Sequence, residues 1–275
     1  MEYFNRKQNQ EQDLEHDKIS FLKAMDGFRV EEIETEFDED SSRSFATELA
    51  GAHLFLLGET HGVLENPNII YTLYKKFGFR NLYFEWSKGL QNTTGHFLNS
   101  GELDFASIEK SCDGRITAGH FSLLKKLKTD GALDTVRCFD GLSWSGSWNL
   151  RDEQMAKNIL TDLPELSTLV VAGKLHTPLV EPEYFKDDPI RHHPMGEHIK
   201  KQIANVLSGR IDYYAGRYHN IGVQEFDESV GEKPLRARFY KSSEGLYIFD
   251  LPEAHDGAVP NPHETRESLS PEKIV

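Results

Sequence analysis

The chain has little of several things that would each fix its class. It carries two cysteines. Cys112 and Cys138 lie far apart in no C-x-x-C spacing, which argues against a disulfide or thiolate-metal framework and points to reduced thiols in a cytoplasmic setting. Basic residues are outnumbered: 31 Lys and Arg stand against 45 Asp and Glu, a formal net charge of -14. Without a basic stripe, no nucleic-acid partner is expected. No apolar run reaches the roughly 20 residues of a membrane-spanning helix, so no membrane partner is expected. Residues 1–17 are polar and charged, without the apolar core of a secretory signal.

What is present is enough apolar material, 38% of 275 residues, to bury a core. Much of it falls in short runs that end on an acid or a histidine. Ala52 to Leu57 stops at Gly58-Glu59-Thr60-His61, and Asn81 to Phe84 stops at Glu85. Thr135 to Phe139 stops at Asp140, and Leu169 to Gly173 is followed by His176. In open α/β sheets, ligands bind beyond the carboxyl ends of the strands, so these ends predict one pocket lined by carboxylates and imidazoles.

The remaining pattern predicts an α/β fold: a mixed, mainly parallel sheet with helices on both faces and a helical cap. Residues 1–40 read as a partly helical extension, with a helix over 19–34 and an acidic, solvated linker over 36–40. Residues 41–251 form the main domain, with 88–134 as its cap. Ile70, Leu73, Tyr74 and Phe77 recur at helical spacing between Pro67 and Gly78, which suit a helix start and stop. Further helices are expected after Asn149, as its cap, and over 195–207, with strands over 168–173 and 211–215. A hairpin is expected from 237–240 and 246–251. Residues 252–275, rich in Pro, Glu and Ser, read as a disordered tail.

Residues two apart on an extended segment share a side, so Glu59 and His61 point together into the crevice. A carboxylate beside an imidazole orients it and raises its basicity, as a general base requires. Glu85 is the natural second acid. Arg151 and Asp152 sit in the first turn of a helix, where Asp also suits the helix dipole. His120 is a substrate-binding candidate from a helical stretch. Trp144 and Trp148 either line an apolar pocket or pack under a loop. His192 and His193 read as a solvated loop, Asp140 as the start of a turn, and the tyrosines 213, 214 and 218 as strand packing.

The block Leu57-Gly58-Glu59-Thr60-His61-Gly62, followed by a helix and Tyr83-Phe84-Glu85, resembles the erythromycin esterase-like hydrolases and the ChaN-like haem-binding uptake proteins. These share one superfamily with the Tiki-type proteases. Three further blocks agree in order: Arg151 to Asn158, Val170 to His176, and Pro194-Met195-Gly196-Glu197-His198. The single residue between Glu59 and His61 follows the ChaN-like spacing, whereas the Met-Gly block follows the esterases. The resemblance implies that Glu59, His61, Glu85 and His176 are catalytic and that Arg151 binds a substrate carboxylate or an oxyanion.

Three readings follow. The first is a hydrolase that cleaves an ester, lactone or amide in a small-molecule or peptide substrate, with no required cofactor. In the second, Glu59, His61, Glu85 and His176 hold a divalent metal for the same chemistry. In the third the chain binds haem or a small ligand, as the ChaN-like likeness implies. That fits less well, because no C-x-x-C-H is present and no export signal is seen. The sequence leaves the oligomeric state open.

Overall fold

Unbroken apolar runs of three or four residues make strands that are buried on both faces, the signature of a sheet covered by helices on each side. In β2 (Leu54–Glu59), Leu54 and Leu56 pack to one side while Phe55 and Leu57 pack to the other. The same alternation sets Val170 and Ala172 against Leu169 and Val171 in β5 (Thr168–Gly173), and Tyr83 against Leu82 and Phe84 in β3 (Asn81–Ser87). The computed structural model describes residues 2–52, 54–109, 115–141, 147–161, 163–181, 190–220, 223–226 and 233–257, with side chains from residue 14 on, Glu109 excepted.

The main sheet has eight strands. Besides those named, they are β1 (Thr35–Phe37), β4 (Thr135–Asp140), β6 (Leu207–Tyr213), β9 (Ala237–Lys241) and β10 (Tyr247–Leu251). The order is β1-β9-β10-β6-β2-β5-β3-β4, and only the β9–β10 pair is antiparallel. Two short strands, β7 (Arg217–His219) and β8 (Val223–Glu225), pair separately.

Helices cover both faces. The larger core lies under α1 (Glu2–Gly27), α2 (Glu39–Ala52), α3 (Asn66–Phe77), α4 (Gln91–Ser100), α5 (Phe105–Glu109) and α6 (Ala118–Thr129). The smaller lies under α7 (Trp148–Leu160) and α8 (Met195–Lys200). Helices α4 to α6 fall within 88–134, where a cap is expected, and pack on the larger core. Helix α3 ends as its sequence requires: Gly78 takes a left-handed φ of 70° and its N–H donates to the Tyr74 carbonyl. No helix among the described residues is long and apolar enough to cross a membrane.

Several boundaries differ from expectation. The acidic stretch 36–40 is no linker: β1 pairs with β9, and the Asp38 carboxylate accepts the Ser41 N–H at 2.8 Å ahead of α2. Acids placed there cap a helix start. The helix expected over 19–34 ends at Gly27. The helix expected over 195–207 stops at Lys200, and the strand expected over 211–215 starts at Leu207. Ile203 and Val206 still pack on the smaller core after α8 ends, so their spacing mimics a longer helix. Asn149 is not the α7 cap; the Ser147 hydroxyl accepts the Leu150 N–H instead. The chain also stays engaged past residue 252, since the Gly257 N–H donates to the Gly62 carbonyl and Ala254 is buried. Residues 258–275 of the expected tail lie outside the described residues, as does Trp144.

Candidate active site

Four adjacent parallel strands, in the order β2-β5-β3-β4, bring their carboxyl ends side by side. Glu59 is the last residue of β2, with His61 two beyond it. Gly173 ends β5, with His176 three beyond; Glu85 lies in β3 and Asp140 ends β4. Arg151 and Asp152 enter from the N-terminal end of α7, and Arg115 from the loop before α6.

His61 stands between two buried carboxylates. Its Nδ1–H donates to Glu59 Oε1 at 3.2 Å, and its Nε2 lies 3.7 Å from Glu85 Oε2. The bond to Glu59 fixes the neutral tautomer, leaving the Nε2 lone pair free to accept a proton. The side chain is 15% exposed, against 4% for Glu59 and 3% for Glu85. Burial alone pushes the imidazole pKa down, but the bond to Glu59 and the charges of Glu85 and Glu59 outweigh it, and the net shift is upward. Burial raises the Glu59 carboxyl, against the pull of His61. Gly173 gives the ring its space: a Cβ there would lie 2.9 Å from His61 Nε2.

Glu85 is the electrostatic centre. Oε2 accepts the Gly173 N–H at 2.7 Å, while Oε1 accepts from Arg151 and, at 3.4 Å, from Arg115. Both guanidiniums also donate to Asp140 Oδ2, at 2.7 Å from Arg115 and 2.8 Å from Arg151. Burial would raise the Glu85 carboxyl, but His176, His61, Arg151 and Arg115 together hold it far below the usual carboxylate range. The two arginines are therefore fixed cations, 20% and 12% exposed, paired with the carboxylate that His61 Nε2 also approaches.

His176 is held from two sides. An arginine can only donate, so Arg151 Nη1 donates to His176 Nε2 at 3.2 Å. The ring proton then sits on Nδ1 and is donated to Asp152 Oδ1. Asp152 is fully buried, and its Oδ2 accepts from His192 Nε2 at 2.9 Å. Trp148 stacks on His176 with ring centroids 5.3 Å apart.

Glu59, His61, Glu85 and His176 are thus brought together as the strand ends predict, and Arg151 joins them from α7. His120 is placed beside them in the core. Its Nδ1 accepts from the Thr117 N–H and hydroxyl at 3.2 and 3.0 Å, and its ring packs edge-on against Phe84 and Trp86. Burial, with the nearby charge of His61, lowers it to about 3, so it is neutral. Asp140 is a site residue as well as a strand end. Asp152 is a bridging carboxylate, and His192 is buried rather than solvated. Arg115 escapes sequence reading, because nothing local distinguishes it from a surface arginine.

Among the described residues no group of three or more His, Cys, Asp and Glu could hold a metal ion. The partners explain why: Glu85 is committed to a backbone N–H and two guanidiniums, and His176 Nε2 to Arg151.

No protein-family model matches the chain, and no curated protein does. Solved structures do. A succinoglycan biosynthesis protein aligns with a TM-score of 0.57 at 11% identity, covering 80% of this chain and 92% of that one. A Bacillus cereus protein gives 0.55 at 10% identity, covering 83% and 96%. A mutant of the erythromycin esterase EreC, in its open conformation, gives 0.55 at 10% identity, covering 81% and 96%. The fold found is therefore the one the sequence resemblance implies, shared with an erythromycin esterase over most of both chains.

Proposed function

We propose that the chain is a hydrolase that cleaves an ester, lactone or amide bond with water activated by His61. The observation that carries this reading is the His61 ring, 15% exposed and pinned through Nδ1 to Glu59, with Nε2 beside a carboxylate that two fixed guanidiniums hold. Nε2 takes a proton from water as the water oxygen attacks the carbonyl carbon. The carbonyl π pair moves onto oxygen, and the oxyanion is stabilised by Arg115 and Arg151. Collapse expels the alcohol or amine, which takes the proton back from the imidazolium. A positioned base contributes about 10²–10⁴ in rate, and preorganised donors at an oxyanion about 10²–10³ each. The erythromycin esterase fold agrees with this chemistry, and the substrate is a small molecule or peptide whose identity is left to assay.

In this reading no metal is required. A divalent cation at these side chains would sit against Arg115 and Arg151, and the guanidiniums already supply positive charge where an oxyanion forms. Nothing in the site favours haem over a carbonyl substrate.

The test is turnover of a panel of activated aryl esters, lactones and peptide amides by wild type and His61→Asn, with circular dichroism as the fold control. A loss of about 10³ or more in kcat/KM is expected. Wild-type rates in the variant would remove His61 from the mechanism, and activity lost to EDTA and restored by one ion would replace this reading with a metal-dependent one.

A further inference from the structure

His176 is governed by more than its immediate partners. Asp152 is buried without access to water, and its two oxygens are shared between two imidazoles, His176 at Oδ1 and His192 at Oδ2. His192 comes from a segment far along the chain, and that segment is tethered. Its own N–H donates to Glu181 Oε1 at 2.9 Å, and the His193 N–H donates to Asn149 Oδ1 at 2.8 Å. The Asn149 amide in turn donates to the Arg191 carbonyl at 2.9 Å. Asn149, Arg151 and Asp152 all lie within the first five residues of α7, so one helix start holds both ends of the arrangement. Trp148 closes it, with its ring stacked on His176 and edge-on to His192 at 6.0 Å.

We infer that His192 is a positioning residue for His176, acting through Asp152: its Nε2–H holds the carboxylate plane and draws off part of its negative charge. A buried carboxylate with one donor pulls harder on that donor than one with two, because hydrogen bonds to charged groups share a fixed charge. Removing the His192 donor leaves more of the Asp152 charge to stabilise a proton on the His176–Asp152 pair. The pair then holds its proton more tightly, whichever atom carries it. The other groups facing His176 are Arg151 and Asp152 from α7 and Glu85 from β3. His198 on α8 also acts on Asp152 by charge. All of these stay in place in the variants below. The inference concerns the site and not the reaction, and it stands whether or not the site hydrolyses esters.

The experiment follows the His176 ring by NMR in the full-length protein, labelled with nitrogen-15 and assigned with His176→Gln, as pH is raised. Wild type should show the Nδ1–H tautomer. His192→Phe keeps a ring but removes the donor, and the His176 midpoint should rise by roughly one pH unit. His192→Gln puts an amide N–H near the lost Nε2 and should restore the wild-type midpoint. His192→Asn, whose amide is too short to reach, should behave like the phenylalanine variant. If the fold is lost in His192→Phe, the Gln and Asn pair carries the comparison. A His176 midpoint unchanged by Phe or Asn, or raised equally by Gln, would overturn the inference by showing that the ring only fills space.

Discussion

Replacing Gly173 by alanine places a methyl carbon where the proposed base works. The Cβ would lie 2.9 Å from His61 Nε2, 3.4 Å from its Cε1 and 3.5 Å from Glu85 Oε2. Ordinary contact is about 3.5–4.0 Å, so the ring must retreat by roughly 0.6–1 Å. The retreat strains the 3.2 Å bond to Glu59 that fixes the tautomer. Misplacing a reacting group by about 1 Å costs about 10² in rate. The backbone tolerates the change, because Gly173 is not among the positive-φ glycines and its N–H can still donate to Glu85. Overpacking a tight site costs about 1–3 kcal/mol of stability, which lowers the melting temperature without unfolding a domain of this size. The assay pairs ester turnover with a thermal melt. The expected outcome is a folded protein with kcat/KM reduced about 100-fold, and a double variant no worse than His61→Asn alone, since both changes disable one nitrogen. Full activity in folded Gly173→Ala would show that His61 Nε2 is not where the chemistry happens.

Two pH experiments probe the carboxylates. The His61 pKa is raised from 6.5 despite burial, by its bond to Glu59 and the charges of Glu85 and Glu59, so kcat/KM should rise with pH through a midpoint above that value as the ring becomes a free base. Glu59→Gln still accepts the Nδ1–H but carries no charge, so the midpoint should fall and the plateau drop; identical profiles would break the link between Glu59 and His61. Glu85 has its folded pKa depressed below 4.5, held down against burial by His176, His61 and two arginines. It therefore contributes stability that is present above about 4.5 and fades as pH falls towards the folded value. Glu85→Gln should be less stable at neutral pH by about 3–5 kcal/mol in urea and should lose less on acidification than wild type. Parallel stability curves would contradict the charge assignment.

The part of the site legible in sequence is the part carried by the sheet. Glu59, Glu85 and Asp140 each follow an apolar run, and His61 and His176 lie within four residues of one, so strand geometry alone aims them at a common edge. The missed residues are held by long-range pairs. Asp152 looks like an ordinary acid at a helix start, and becomes a buried bridge only because His176 and His192 reach it from 24 and 40 residues away. Arg115 lies 30 residues from Glu85 and 25 from Asp140. Local charge patterns predict solvation for such residues, and tertiary pairing overrides it.

The same dependence on distant chain explains why the loop after β2 can hold His61 steady. Gly62 takes a φ of 70°, a left-handed conformation that favours glycine. A side chain there would overlap the His219 carbonyl, so the loop is closed against β7 by contact as well as by dihedral. The Gly62 carbonyl accepts N–H groups from His219 at 3.3 Å and Gly257 at 2.9 Å, and the Leu64 N–H donates to His255 at 2.8 Å. From the other side, the Asn66 side chain donates to the Thr60 carbonyl at 2.9 Å and accepts from the Tyr213 hydroxyl at 2.6 Å. Six residues that follow β2 are thus braced by the ends of β6 and β7 and by the chain beyond β10. A base whose proton affinity is set by bonds of about 3 Å needs its loop held to a fraction of that distance. The bracing segments, which carry no chemistry of their own, therefore belong to the site as much as the strand ends do.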